Sequence, residues 1–117
     1  MTDEIKLIVG GSLAEDLAAF RHAWEQAERG ETGAPDRVLA FESWEALAGV
    51  MTGERYRLLR HLHAHPEVSV SALARHLGRH LRRVQADVRA LEEAGLVDRS
   101  QGHVRTTADR LSAEIRL

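Results

Sequence analysis

The spacing of hydrophobic and polar positions changes period several times along the chain. In "EIKLIVGG", Ile5, Leu7 and Val9 alternate, which predicts a short strand ended by Gly10-Gly11. Ser12 followed by Glu15 forms a capping box, and Leu13, Leu17, Phe20 and Trp24 then recur at helical spacing. That helix runs to about Arg29 and stops at Gly30. "GETGAPD" reads as a loop and "RVLAF" as a second strand. Ser43 caps a short helix, "SWEALAGVM", and Thr52 caps the next, "TGERYRLLRHLHAH", which ends before Pro66.

Ser69 or Ser71 caps a further short helix with apolar positions Val70, Leu73, Ala74 and Leu77. Gly78 supplies a turn, and a longer helix follows from about His80 to Ala94, stopped by Gly95. "LVDRSQGHVRTT" predicts two strands joined at Ser100–Gly102. The tail alternates Leu111, Ala113, Ile115 and Leu117, a third strand, with a final helix turn as the alternative. The elements make an α+β fold with two lobes. Residues 1–50 form a strand–helix–strand lobe. Residues 51–117 form a winged helix-turn-helix lobe carrying the C-terminal strand.

The helix after Gly78 has two distinct faces. At 100° per residue, with Leu81 as zero, Leu81, Val84, Val88 and Leu91 fall between about 280° and 360° and form a core-facing stripe. Arg79, Arg82, Arg83, Ala86, Arg89 and Ala90 fall within roughly 60° of the opposite direction. Small alanines let a backbone approach a groove wall, while guanidinium groups supply donors for guanine edges and phosphates. His80 and Asp87 flank this face. A charged outer face is also what any exposed helix carries, so the helix–turn–helix–hairpin order is what favours nucleic acid. Around the hairpin, Arg99, Gln101, His103 and Arg105 suit a phosphate backbone. Arg55, Arg57 and Arg60 are phosphate candidates or plain solvated surface.

Charge sharpens this picture. The chain is net −2, yet residues 1–50 hold 4 basic and 10 acidic groups, whereas residues 51–90 hold 8 and 3. That asymmetry predicts a basic face for an anionic partner and an acidic face for something else. Of the 16 cationic residues 15 are arginine, which coding bias alone can also produce.

The residues resemble a known group. The pattern "LTxxRxxLL" is matched by "MTGERYRLL" (Met51–Leu59), and "SxxxLAxxLGRxxxxVxxDVxxLExxGLV" by Ser69–Val97. These resemble small prokaryotic winged-helix proteins described as transcriptional regulators, related to repressors of the multiple-antibiotic-resistance (MarR) type. In that group a strand–helix–strand leader precedes the winged helix and an alternating strand ends the chain. The resemblance implies double-stranded DNA as partner, a DNA-reading role for Arg79, His80, Arg82, Arg83 and Asp87, and an antitoxin role beside a cognate toxin protein. Relatives often carry an acidic or aromatic residue after "GR"; here His80 and Leu81 stand there, so operator preference does not transfer.

Other signals are weaker. His61 and His65 share a helix face at a metal-capable spacing; His76 and His80 repeat the spacing, but the Gly78 turn breaks the geometry, and Glu67 is the only carboxylate nearby. These read as surface histidines whose protonation makes DNA binding pH-sensitive, with no metal and no cofactor expected. "IVGGS" lacks the third glycine of a dinucleotide fingerprint and the lysine of a P-loop, and a tight turn with a Ser12 cap explains it. Glu25, Glu28 and Glu31 read as solvated surface, and no nucleophile–base pair suggests an enzyme. The stripe Leu13, Leu17, Phe20 and Trp24 is either sheet-facing core, the favoured reading, or a dimer seam.

The sequence therefore predicts a cytoplasmic, homodimeric, autoregulating repressor without membrane spans. Its DNA contacts would be Arg79, His80, Arg82, Arg83, Asp87, Arg89, Arg99, His103 and Arg105. The alternative is a winged-helix module that binds a toxin or other protein, with DNA binding secondary or lost.

Overall fold

The computed structural model describes residues 3–10, 17–18, 21–22, 24–25, 28–29 and 37–117. Its architecture is mixed α+β, with strands β1 (Glu4–Val9), β2 (Arg37–Phe41), β3 (Val97–Ser100), β4 (His103–Thr106) and β5 (Arg110–Ile115). The helices are α1 (Trp44–Val50), α2 (Gly53–Ala64), α3 (Val70–Leu77) and α4 (Leu81–Glu93). Leu17, Ala18, Arg21, His22, Trp24, Glu25 and Glu28 are also helical. The chain divides into two units: Met1–Leu47 with Ala108–Leu117, and Ala48–Thr107. None of the described helices is long and apolar enough to cross a membrane.

In the first unit, β1 is the central strand of a three-stranded sheet, order β2-β1-β5, with both pairings parallel. Parallel neighbours need a crossover rather than a tight turn, and the helical residues between β1 and β2 lie on that crossover. Besides the alternating Ile5, Leu7 and Val9, Ile8 is also buried, as expected for a strand covered on both faces. β5 therefore belongs with the first unit and not with the 51–117 lobe. A central parallel strand takes a neighbour on each edge, and sequence spacing does not say which distant segment supplies it. The alternation of β5 puts its polar residues on the more protected side. Leu111, Ala113 and Ile115 are exposed, while Ser112, Glu114 and Arg116 are half-buried.

Leu17 and Trp24 are likewise exposed, at 59% and 61%, which corrects the favoured reading of them as core. The Trp24 indole N–H donates to Glu28 Oε1 at 2.7 Å. Leu13, Phe20, Gly11, the Ser12–Glu15 capping box and the whole "GETGAPD" loop lie outside the described residues.

In the second unit three helices precede a hairpin. Thr52 Oγ1 accepts from Arg55 N at 3.2 Å and Ser69 Oγ from Ala72 N at 3.0 Å, so Ser69 rather than Ser71 caps α3. α3 ends at Gly78 with φ 65° and ψ 33°. Here the left-handed backbone alone calls for glycine, because a Cβ would meet open space. The two-residue hairpin loop places Gln101 and Gly102 at φ 54° and 85°, with Ser100 paired to His103, the geometry of a tight turn matched to strand twist. Leu58, Leu59, Leu62, Ala72, Leu73, Ala74, Val84, Val88, Leu91, Leu96, Val97 and Val104 are buried in this unit. The predicted stripe of α4 is inward at Val84, Val88 and Leu91, each 0% exposed, but Leu81 is 38% exposed. As the first residue of its helix, Leu81 lies one turn beyond the packed stripe and lines a shallow recess with Ser71, Ala74 and Gly78.

Local geometry sets the response to substitution at two places. Gly78→Ala lowers the unfolding free energy by about 1 kcal/mol, the cost of a left-handed L-residue without added clash, read from urea denaturation. In the sheet, hydrogen bonds from Arg110 and then Ser112 hold the Glu4 carboxyl below its ordinary pKa, and hydrogen bonds from Arg116 and then Lys6 do the same for Glu114. Each group binds fewer protons folded than unfolded, so its stabilisation is present above the ordinary carboxylate range and is lost as pH falls through the depressed value. Glu4→Gln flattens the acid side of the stability–pH curve, measured by denaturation between about pH 5 and 2.

Candidate functional site

The site is built on α4 and the residues that orient it. His80 is the N-cap, its Nδ1 accepting from Arg82 N at 3.3 Å, which leaves Nε2 as the proton-bearing nitrogen of the neutral ring. At the other end Leu96 N donates to Leu91 O at 2.9 Å and Gly95 adopts φ 86°, closing the helix. Between these ends the helix buries Val84, Val88 and Leu91 and exposes Arg82, Arg83, Ala86 and Arg89.

Not every predicted arginine points outward. Arg79 and Asp87, placed on or beside the outward face by the helical wheel, are largely buried and engaged. Asp87 Oδ1 accepts from Arg55 Nε at 3.0 Å, and Asp87 Oδ2 lies 2.7 Å from Arg79 Nη2. The side chains of Asp87, Arg55 and Arg79 are only 13%, 19% and 20% exposed. Arg55 Nη1 also donates to the carbonyls of Gly49 and Val50 at 3.0 and 3.1 Å, closing the end of α1. Arg79 Nε reaches Glu54 Oε2 at 3.2 Å. A carboxylate removed from water takes charged partners, and the two nearest guanidinium groups fold onto it. Wheel angles cannot show this, since both partners of Asp87 come from outside its own helix.

The remaining cationic groups fall into two sets. Arg57 pairs with Glu54, Arg99 with Glu92 at 3.6 Å and Arg105 with Asp98 at 3.1 Å, while Arg60 lies over the Tyr56 ring. These are surface pairs, which a phosphate can displace at small cost. Among the described residues of the second unit, Arg75 on α3 and Arg82, Arg83 and Arg89 on α4 have no ion-pair, side-chain hydrogen-bond or ring partner. His103 is exposed on β4. Three of these four free arginines lie on one face of α4, spaced by Ala86. That face can bind a polyanion through bidentate donors without first breaking an internal pair.

A second cluster was missed by sequence spacing. His61 on α2, Glu67 in the following loop and His76 on α3 bring one ligand-capable atom each within 4.8 Å of one another. Sequence spacing offered His61 with His65 on one helix face, whereas the Gly78 turn separates His76 from His80. The structure sets His61 beside His65, with ring centroids 5.7 Å apart, and also beside His76 across two helices, at 6.1 Å. Glu67, the one carboxylate noticed nearby, is 7% exposed and central.

Removal of the Asp87 carboxylate separates structural from surface arginines. Asp87→Ala lowers stability by about 2 kcal/mol, below the value for a fully buried pair because some solvent reaches it. Arg82→Ala changes stability by less than about 0.5 kcal/mol. Equilibrium urea denaturation of the two variants measures both.

No curated protein and no solved structure matches the chain. The sequence model of the HVO_A0114 family matches residues 50–113, from the last residue of α1 to within β5 and more than half of the chain. The chain therefore belongs to the HVO_A0114 family.

Proposed function

We propose that the protein is a sequence-specific DNA-binding transcriptional regulator whose second unit acts as a winged helix-turn-helix. The observation that carries the reading is the exposed face of α4, where Arg82, Arg83 and Arg89 stand without partners around the small Ala86. An α-helix fits the major groove, and free guanidinium groups reach both guanine edges and phosphates. α3 and α4, joined by the Gly78 turn, supply the helix pair, and the β3–β4 hairpin supplies the wing. Arg99, His103 and Arg105 then contact the flanking backbone. His80 sits at the N-terminal end of α4, where residues meet base edges. Arg79 and Asp87 act on recognition indirectly, by holding α4.

One such helix reads few base pairs, so the functional form is a homodimer on an inverted repeat, repressing its own gene. The exposure of Leu17 and Trp24 favours a second reading, in which the first unit docks a protein such as a cognate toxin. Both roles are compatible in one chain, because they use different residues.

The test is fluorescence anisotropy with the DNA upstream of the protein's own gene against a shuffled duplex at near-physiological salt. The expected preference is at least about a hundredfold, since specific sites typically exceed nonspecific ones by 10³ or more. Arg82→Ala/Arg83→Ala abolishes that preference. It also reduces the slope of log affinity against log salt by about one for each phosphate that the variant no longer neutralises. Equal, weak binding to both duplexes refutes the repressor function.

A further inference from the structure

We propose that His61, Glu67 and His76 form a binding site for a divalent transition-metal ion of the zinc class. The three ligand-capable atoms come from three different segments and all lie within 4.8 Å of one another. His76 Nδ1 is 2.7 Å from Glu67 Oε2 and 2.9 Å from Oε1, and His61 Nε2 is 3.5 Å from Oε1. Around a tetrahedral ion with bonds of about 2.0–2.1 Å, ligand atoms sit roughly 3.3–3.5 Å apart. The His61–Glu67 separation already has that value. His76 has to withdraw by about half an ångström to make room for an ion with bonds of that length. Its side chain is 59% exposed, so it can.

An independent observation points the same way. His61 Nε2 is buried and makes no hydrogen bond. A buried ring nitrogen without a partner is costly, and in a folded protein it calls for a specific role. Directed at a carboxylate that already engages a second imidazole, it becomes the third member of a ligand set. Two imidazoles and one carboxylate suit zinc, cobalt or nickel rather than magnesium or calcium, which take mostly oxygen. The exposure of His76 leaves a route for the ion and a place for water as the remaining ligand.

The location gives the site a structural consequence. Glu67 N donates to Val104 O at 2.9 Å and Val104 N to Glu67 O at 2.8 Å, so the loop carrying Glu67 is fastened to β4. An ion held here cross-links α2, α3 and, through that loop, the hairpin. Metal binding to the folded form then raises its stability by mass action.

The experiment uses full-length, tag-free protein stripped with chelator, in the absence of nucleic acid, so its outcome is separate from whether the arginine face binds DNA. Zn²⁺ is titrated by calorimetry, and Co²⁺ serves as the spectroscopic probe. Expected are one Zn²⁺ per chain, visible ligand-field bands of a tetrahedral Co²⁺ site, a raised Tm with Zn²⁺ and none of these with Mg²⁺. Glu67→Gln and His76→Ala each weaken Zn²⁺ binding at least about tenfold and remove the Tm increase, whereas His63→Ala, on the helix of His61 but outside the cluster, leaves both unchanged. Because His76 is exposed, its variant folds even if Glu67→Gln does not. Absence of Zn²⁺ binding to the unsubstituted protein, or binding that survives His76→Ala at full strength, overturns the proposal.

Discussion

The grip of Arg55 and Arg79 on Asp87 is the constraint on which the second unit depends. Three short helices pack through a small set of leucines, valines and alanines, and hydrophobic burial alone has little directional preference. A largely buried carboxylate is different, because its two oxygens call for cationic partners at defined positions. From α2, Arg55 donates a hydrogen bond to one oxygen while also closing α1, and Arg79, from the turn before α4, forms an ion pair with the other, which makes no hydrogen bond. In this setting α4 carries Val84, Val88 and Leu91 inward and Arg82, Arg83 and Arg89 outward.

The same interaction divides the arginines by task. A chain whose cations are almost all arginine presents many positive groups that look equivalent in sequence. Folding makes them unequal. Arg55 and Arg79 are committed to internal pairing, Arg57, Arg99 and Arg105 to exposed pairs, and the α4 set to none. The proposed DNA-binding face is thus drawn from the arginines that internal carboxylates have not taken. It is smaller than the helical wheel suggested and better defined.

The sheet of the first unit shows a parallel case. β1 places Ile5, Leu7, Ile8 and Val9 in the interior, while the paired β5 leaves Leu111 and Ile115 exposed. Alternation identified both strands correctly, but it could not say that one would be central and the other an edge. Ion pairs from Arg110 to Glu4 and from Lys6 to Glu114 span the β1–β5 pairing. The polar side of β5 therefore contributes fixed contacts while its apolar side stays open.

The sequence by itself determined the elements of the second unit and their ends. Thr52 as a cap, Gly78 and Gly95 as stops, the turn at Ser100–Gly102 and the inward Val84, Val88 and Leu91 are local consequences of hydrogen-bonding side chains, backbone freedom and helical period. These signals act over a few residues, so they survive being read one dimension at a time. Tertiary structure alone decided which strand flanks β1, which arginines Asp87 draws inward, and that His61 meets His76 across Glu67. Each of those depends on segments well separated in sequence, whose proximity is set by packing and by the need of a buried charge or ring nitrogen for a partner, quantities that no local pattern encodes.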